Sequence, residues 1–139
     1  MTYKKFSLTF GFSVWFFGTL AFSFFGDKFF LVHSFPIMAL LYIGVIPILY
    51  LMTSWVYKKY QLTKSEILES TILMAIPALI LDAFVFKFYN EVFPTLNPID
   101  AGSLSSFIIW IYGILLIIGL LKKSQNSNKI TDKNAYNTI

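Results

Sequence analysis

Residues 6–25 read FSLTFGFSVWFFGTLAFSFF, a run of twenty residues without a charged side chain. A helix rises 1.5 Å per residue, so about 20 apolar residues span a hydrocarbon core of about 30 Å. This run therefore predicts a first membrane-spanning helix, called span one.

Three further apolar stretches of similar length follow, at residues 33–56, 67–89 and 103–121, and the last of them also lacks any charge. Stretches of this length favour helices over strands. We therefore predict an all-α fold, a four-helix transmembrane bundle that forms one domain over residues 1–123. The remaining residues, 124–139, are rich in Asn, Ser and Lys and predict a disordered polar tail.

The composition supports this class of protein. Hydrophobic residues make up 57% of the chain and charged residues 13%, whereas soluble domains carry about 25% charged residues. Sixteen Phe, eight Tyr and three Trp exceed what a small water-soluble domain buries. The sequence thus predicts a multi-pass integral membrane protein.

The lysines predict the orientation of the four spans. Two precede span one, three lie between spans two and three, and four follow span four: Lys4, Lys5, Lys58, Lys59, Lys64, Lys122, Lys123, Lys129 and Lys133. The opposite connections hold only Lys28 and Lys87. The positive-inside rule then places both termini in the cytoplasm. Because the lysines flank the spans, we expect them to lie at the surface of the lipid bilayer. For the same reason we expect no nucleic-acid partner, despite the net charge of +4.

Residue types exclude several kinds of chemistry. Cysteine and arginine are absent, and His33 is the only histidine. Thiol chemistry and a multi-histidine metal site are therefore excluded. Since no nucleophile can be grouped with a base and an orienting residue, we expect no catalytic residues, no metal, no cofactor and no enzymatic activity.

Two local patterns predict where helices begin. Thr63 and Glu66 have the spacing of a capping box at the start of span three. Asp100 or Ser103 is expected to cap span four, after a loop that Asn97-Pro98 interrupts.

Small residues predict where helices pack closely. Gly11 and Gly18 lie on one stripe of span one, and Ala75 and Ala78 lie on a seam of span three. Small side chains let helix backbones approach each other in a membrane. We interpret these stripes as contacts within the bundle; a homo-oligomer interface along span one remains the alternative.

Two prolines lie near the middle of spans. Pro47, with Gly44 beside it, predicts a kink in span two, and Pro77 predicts one in span three. These kinks are structural in one interpretation and act as hinges of a transporter in the other.

Asp82 is the residue that most requires an explanation, because it lies about fifteen residues into an apolar span. A carboxyl group at such depth tends to face the bundle interior or a water-filled cavity. Counting depth from the helix ends predicts a buried polar cluster of Asp82 with Tyr42 and Ser106, and with Thr19 or Ser23 alongside.

Two functions are compatible with that cluster. In the first, it is a structural network in a non-enzymatic packing or accessory protein that associates with a membrane-protein partner or with itself. In the alternative, Asp82 is the ion-binding residue of a small proton- or cation-coupled transporter or channel.

The first hairpin contains Trp15, Gly18-Thr19, Phe22, Gly26 and Phe30 at fixed spacing. With four spans and cytoplasmic ends, it resembles small bacterial integral membrane proteins that are grouped in families of unknown function. The resemblance implies a bacterial inner or plasma membrane location, and it carries over no catalytic or ligand-binding residue.

Overall fold

The computed structural model describes the backbone of residues 1–136, together with their side chains except those of Phe29 and residues 124–136. This part of the chain folds entirely into helices and their connections, with helices α1 (Tyr3–Phe29), α2 (Phe35–Lys59), α3 (Lys64–Lys87), α4 (Tyr89–Val92) and α5 (Pro98–Tyr136). Four segments are long and apolar enough to cross a membrane: most of α1, all of α2 and α3, and the Pro98–Lys123 part of α5. The all-α class and the four apolar helices are confirmed.

The end of α5 differs from the expected boundary of span four. The helix continues from the apolar part through the polar segment to Tyr136, where the sequence predicts disorder from residue 124. Residues 137–139 of that tail lie outside the described residues. The disorder of residues 124–139 therefore stays a prediction.

The helix starts confirm one expected cap and correct another. Glu66 accepts hydrogen bonds from the backbone N–H and the hydroxyl of Thr63, at 2.8 and 2.7 Å, which confirms the capping box. The cap of α5 is instead Asn97, whose side-chain oxygen accepts from the backbone N–H of Asp100 at 2.9 Å. Asn at the cap followed by Pro98 in the first turn is a favourable helix start, so this pair begins the helix.

The two prolines expected to cause kinks, Pro47 and Pro77, lie inside α2 and α3, and both helices continue past them. Gly44 lies one turn before Pro47 and has open space where a Cβ would stand. The kinks, and their use as hinges, stay predictions.

The helices pack in the order α1, α3, α5, α2. A close approach joins α1 to α3, where a Cβ on Gly11 would stand 2.2 Å from the backbone oxygen of Met74. One turn earlier the hydroxyls of Ser7 and Ser70 share a buried hydrogen bond of 2.7 Å. Both pairs have the same offset of 63 residues, so α1 and α3 run parallel in one constant register.

Aromatic side chains connect the helices near both ends of the bundle. At the end that holds Lys4, Lys59 and Lys64, here called the Lys-rich end, Phe6 and Phe10 of α1 each lie 6.0 Å from the ring of Trp55 in α2. Toward the opposite end another cluster joins α1, the α1–α2 connection, α2 and α5: Phe22, Phe30, Tyr42 and Phe107. Between these two clusters α1 and α2 border a cavity.

Candidate functional site

Asp82 of α3 is buried, with 7% of its surface exposed. Its Oδ1 accepts a hydrogen bond of 2.7 Å from Nε1 of Trp15 in α1. Its Oδ2 accepts a hydrogen bond from the hydroxyl of Tyr112 in α5. One carboxyl group therefore connects the three helices α1, α3 and α5.

The register of the helices explains these partners. The offset of 63 residues places Thr19 of α1 level with Asp82. The antiparallel approach of Gly119 to Thr71 likewise places Ile108 of α5 at that level. Helical side chains tilt toward the N-terminus of their own helix, so the Asp82 carboxyl is displaced toward the Lys-rich end. Trp15 and Tyr112, its donors, each lie one turn nearer that end than the residue level with Asp82.

The partners that depth counting predicts are not the ones that Asp82 uses. The hydroxyl of Ser106 donates to the backbone oxygen of Gly102 in its own helix and is exposed. Tyr42 packs its ring against Phe107, with 5.0 Å between centroids. Counting residues along a span estimates the height of a Cα atom, whereas a contact also depends on helix rotation and side-chain length. This part of the predicted cluster is therefore wrong.

Of the remaining predicted members, Thr19 lines the same cavity as Asp82. Ser23 instead donates to the backbone oxygen of Val92, at 2.6 Å. Sequence reasoning missed Trp15 and Tyr112. The signal was available, since a buried carboxyl group needs donors and an indole or phenol carries its donor at the end of a long side chain.

Asp82, Trp15 and Tyr112 line a cavity of about 250 Å³ between α1, α2, α3 and α5. The other lining residues are almost all apolar. Three of the lining residues are exposed, Val14 and Gly18 of α1 and Ile48 of α2. The mouth of the cavity therefore lies between α1 and α2, near the middle of both helices.

The expected packing residues divide into two groups. Gly11 is required by the close approach of α1 to α3, and Ala75 and Ala78 of α3 are buried. Gly18 is exposed at the cavity mouth and has open space where a Cβ would stand, so it does not pack against another helix among the described residues. A second close approach, which sequence analysis missed, joins α5 to α3, because a Cβ on Gly119 would stand 2.6 Å from Oγ1 of Thr71.

A second set of polar contacts lies at the Lys-rich end. Glu69 pairs with Lys4 at 2.7 Å and accepts from the hydroxyl of Tyr3 at 2.6 Å. The hydroxyls of Tyr57 and Thr71 share a buried bond of 2.6 Å. These contacts fix the ends of α1, α2 and α3 relative to one another. Over the described residues, no group of three or more His, Asp or Glu side chains has the arrangement of a metal site.

Comparison with known proteins gives one match. The model of a family of unknown function, DUF5367, matches residues 29–126, which is more than half of the chain. The chain belongs to this family. The motif of the first hairpin, from Trp15 to Phe30, lies almost entirely outside the residues that the family model matches. No curated protein and no solved structure matches the chain.

For DUF5367, the matched region includes Asp82 and Tyr112 but excludes Trp15. The membership confirms the expectation of a family of unknown function. It assigns no role to the cavity or to its carboxyl group.

Proposed function

We propose that this DUF5367 member is a multi-pass protein of the bacterial inner or plasma membrane, with both termini in the cytoplasm. Two observations support the orientation. Lys4, Lys59 and Lys64 lie at one end of the helix bundle, and Lys28 and Lys87 lie in the last turns of α1 and α3, at the opposite end. An excess of lysine on one side of a bundle favours the cytoplasmic side.

Within that membrane, the protein is a non-enzymatic packing or accessory protein in which Asp82 is structural. The observation that carries this function is the pair of hydrogen bonds from Trp15 and Tyr112, which engage both carboxyl oxygens. A buried polar network with satisfied partners specifies how helices pack. The carboxyl group thus selects one arrangement of α1, α3 and α5.

The variants Asp82→Asn and Tyr112→Phe test this role. The protein is reconstituted in lipid and unfolded with a denaturing detergent. Each variant is expected to unfold at a lower detergent concentration than the unaltered protein. Tyr42→Phe is the matched control, because the Tyr42 hydroxyl has no hydrogen bond among the described residues. Unchanged unfolding midpoints in the first two variants would contradict a structural network.

An accessory role also predicts a protein partner. Ala21 of α1 is exposed within the described part of the chain and lies outside the cavity lining, and small residues suit close packing against another helix. A second copy or a different membrane protein is expected there. Cross-linking in membranes followed by mass analysis should yield a complex of defined mass, and a purely monomeric protein would contradict this part of the proposal.

A proton- or cation-coupled transporter is the second candidate, and one observation favours it. Asp82 lines a cavity, and intramembrane carboxyl groups beside cavities mark ion pathways in transporters. Vesicles containing the protein should then show a pH change or current upon application of a cation gradient. Asp82→Asn should abolish that flux, whereas Tyr42→Phe should retain it.

A further inference from the structure

The carboxyl group of Asp82 has no cationic partner among the side chains that the structure describes. Lys4 pairs with Glu69 at the Lys-rich end. Lys87, five residues further along α3, is exposed. Both donors to Asp82 are neutral, and a carboxylate has about four acceptor positions. Two positions therefore remain for a further donor, and a cation is the donor that a carboxylate in apolar surroundings binds most strongly.

The cavity determines what kind of molecule brings that cation. Its mouth is formed by Val14, Gly18 and Ile48, near the middle of α1 and α2. In a membrane this position faces hydrocarbon rather than water. A ligand must therefore dissolve in the bilayer before it enters.

The lining restricts the rest of the ligand. The polar side chains of the cavity wall are those of Asp82, Trp15, Tyr112, Thr19 and Thr53, and the rest of the wall is apolar. The hydroxyl of Thr53 already donates to the backbone oxygen of Leu49, at 2.8 Å. A sugar or nucleotide would lose its hydrogen bonds to water here without replacement. The wall fits an apolar body with a single polar group.

We propose that the cavity binds a lipophilic amine that enters sideways between α1 and α2. Its apolar body fills the cavity, and its ammonium group donates to the Asp82 carboxylate. The inference goes beyond both proposed functions, because binding requires neither transport nor a protein partner.

The probe for this site is bromo-octylammonium, whose bromine quenches tryptophan fluorescence on contact. The protein carries Trp55→Phe and Trp110→Phe, so that Trp15 in the cavity wall reports alone. In vesicles of a zwitterionic lipid, excess octylammonium should restore the Trp15 fluorescence. Octanol and octanoate should compete about tenfold less well or worse, since they lack the charge-assisted hydrogen bond.

A matched pair of glycine variants locates the site. Gly18→Leu places a side chain in the cavity mouth, and Gly113→Leu places one on α5 outside the cavity lining; a Cβ meets no atom within 4 Å at either position. We expect Gly18→Leu to weaken competition by octylammonium about tenfold or more and Gly113→Leu to leave it unchanged. Since neither variant alters Asp82, the result does not depend on the folding of an Asp82 variant.

Three results would overturn the proposal. If octanol and octylammonium compete equally well, the cavity binds the apolar chain and does not recognise the ammonium group. If no competitor reverses the quenching, the brominated amine reaches Trp15 from the surrounding lipid without occupying a specific site. If Gly18→Leu changes the oligomeric state and leaves competition intact, the α1–α2 mouth is an interface between copies. Since the structural role of Asp82 is measured by unfolding and transport by flux, failure here is distinguishable from failure of either function.

Discussion

Gly11 of α1 lies directly against the backbone of Met74 in α3, where a Cβ would stand 2.2 Å from the Met74 carbonyl oxygen. The obstructing atoms belong to a helix backbone and cannot turn aside as a side chain does. This contact therefore fixes how closely the two helices approach, and with it the position of Trp15, one turn further along α1, relative to Asp82.

Gly11→Ala is expected to destabilise the bundle by about 1 to 3 kcal/mol, because the added methyl group forces α1 away from α3. Gly113→Ala is the control and should be neutral or stabilising by up to about 1 kcal/mol, since its Cβ meets no atom within 4 Å and alanine favours helix. Unfolding by detergent in mixed micelles measures both. Equal effects at the two positions would show that α1 and α3 do not approach as described.

The buried hydroxyls of Ser7 and Ser70 should be energetically coupled. Each single change to alanine leaves the other hydroxyl without this partner, and we expect the double variant to cost less than the sum of the two by about 0.5 to 1.5 kcal/mol. Ser106, which is exposed on α5, supplies a control pair, Ser7→Ala with Ser106→Ala, which should be additive. Additivity of Ser7 with Ser70 would contradict the register of α1 and α3.

Infrared spectroscopy should detect the hydrogen bonds to Asp82 directly. Asp82→Asn identifies the carboxyl band by removing it, and Tyr112→Phe should shift that band because one of the two described donors is lost. Tyr42→Phe should leave the band in place. A band that responds to Tyr42→Phe and not to Tyr112→Phe would restore the cluster that depth counting predicts.

The absence of native cysteine allows a test of orientation without background labelling. Single variants Ser65→Cys, at the start of α3, and Thr95→Cys, between α4 and α5, both introduce an exposed thiol. With cytoplasmic termini, a membrane-impermeant maleimide added to intact cells should label Thr95→Cys and label Ser65→Cys only after the cells are opened. The reverse pattern would invert the proposed topology.

Several features of the fold were predictable because they depend on residues close together in the chain. The apolar length of residues 6–25 predicts a spanning helix, and the spacing of Thr63 and Glu66 predicts a cap that the structure contains. Asp82 stands out for the same reason, as a carboxyl group within an apolar run. The cap of α5 was predicted wrongly, because Asn97-Pro98 also has the pattern of a loop.

The candidate site required the tertiary structure. Gly11 and Gly18 belong to one stripe in the sequence, yet Gly11 touches a neighbouring helix and Gly18 borders the mouth of a cavity. The partners of Asp82 lie 67 and 30 residues away, on α1 and α5. The sequence by itself determined which segments are apolar helices, since hydropathy and helix caps are local properties. Which helices are neighbours, how each is rotated and what lies beside Asp82 were decided only by packing, because those contacts depend on the distances between helices that are far apart in the chain.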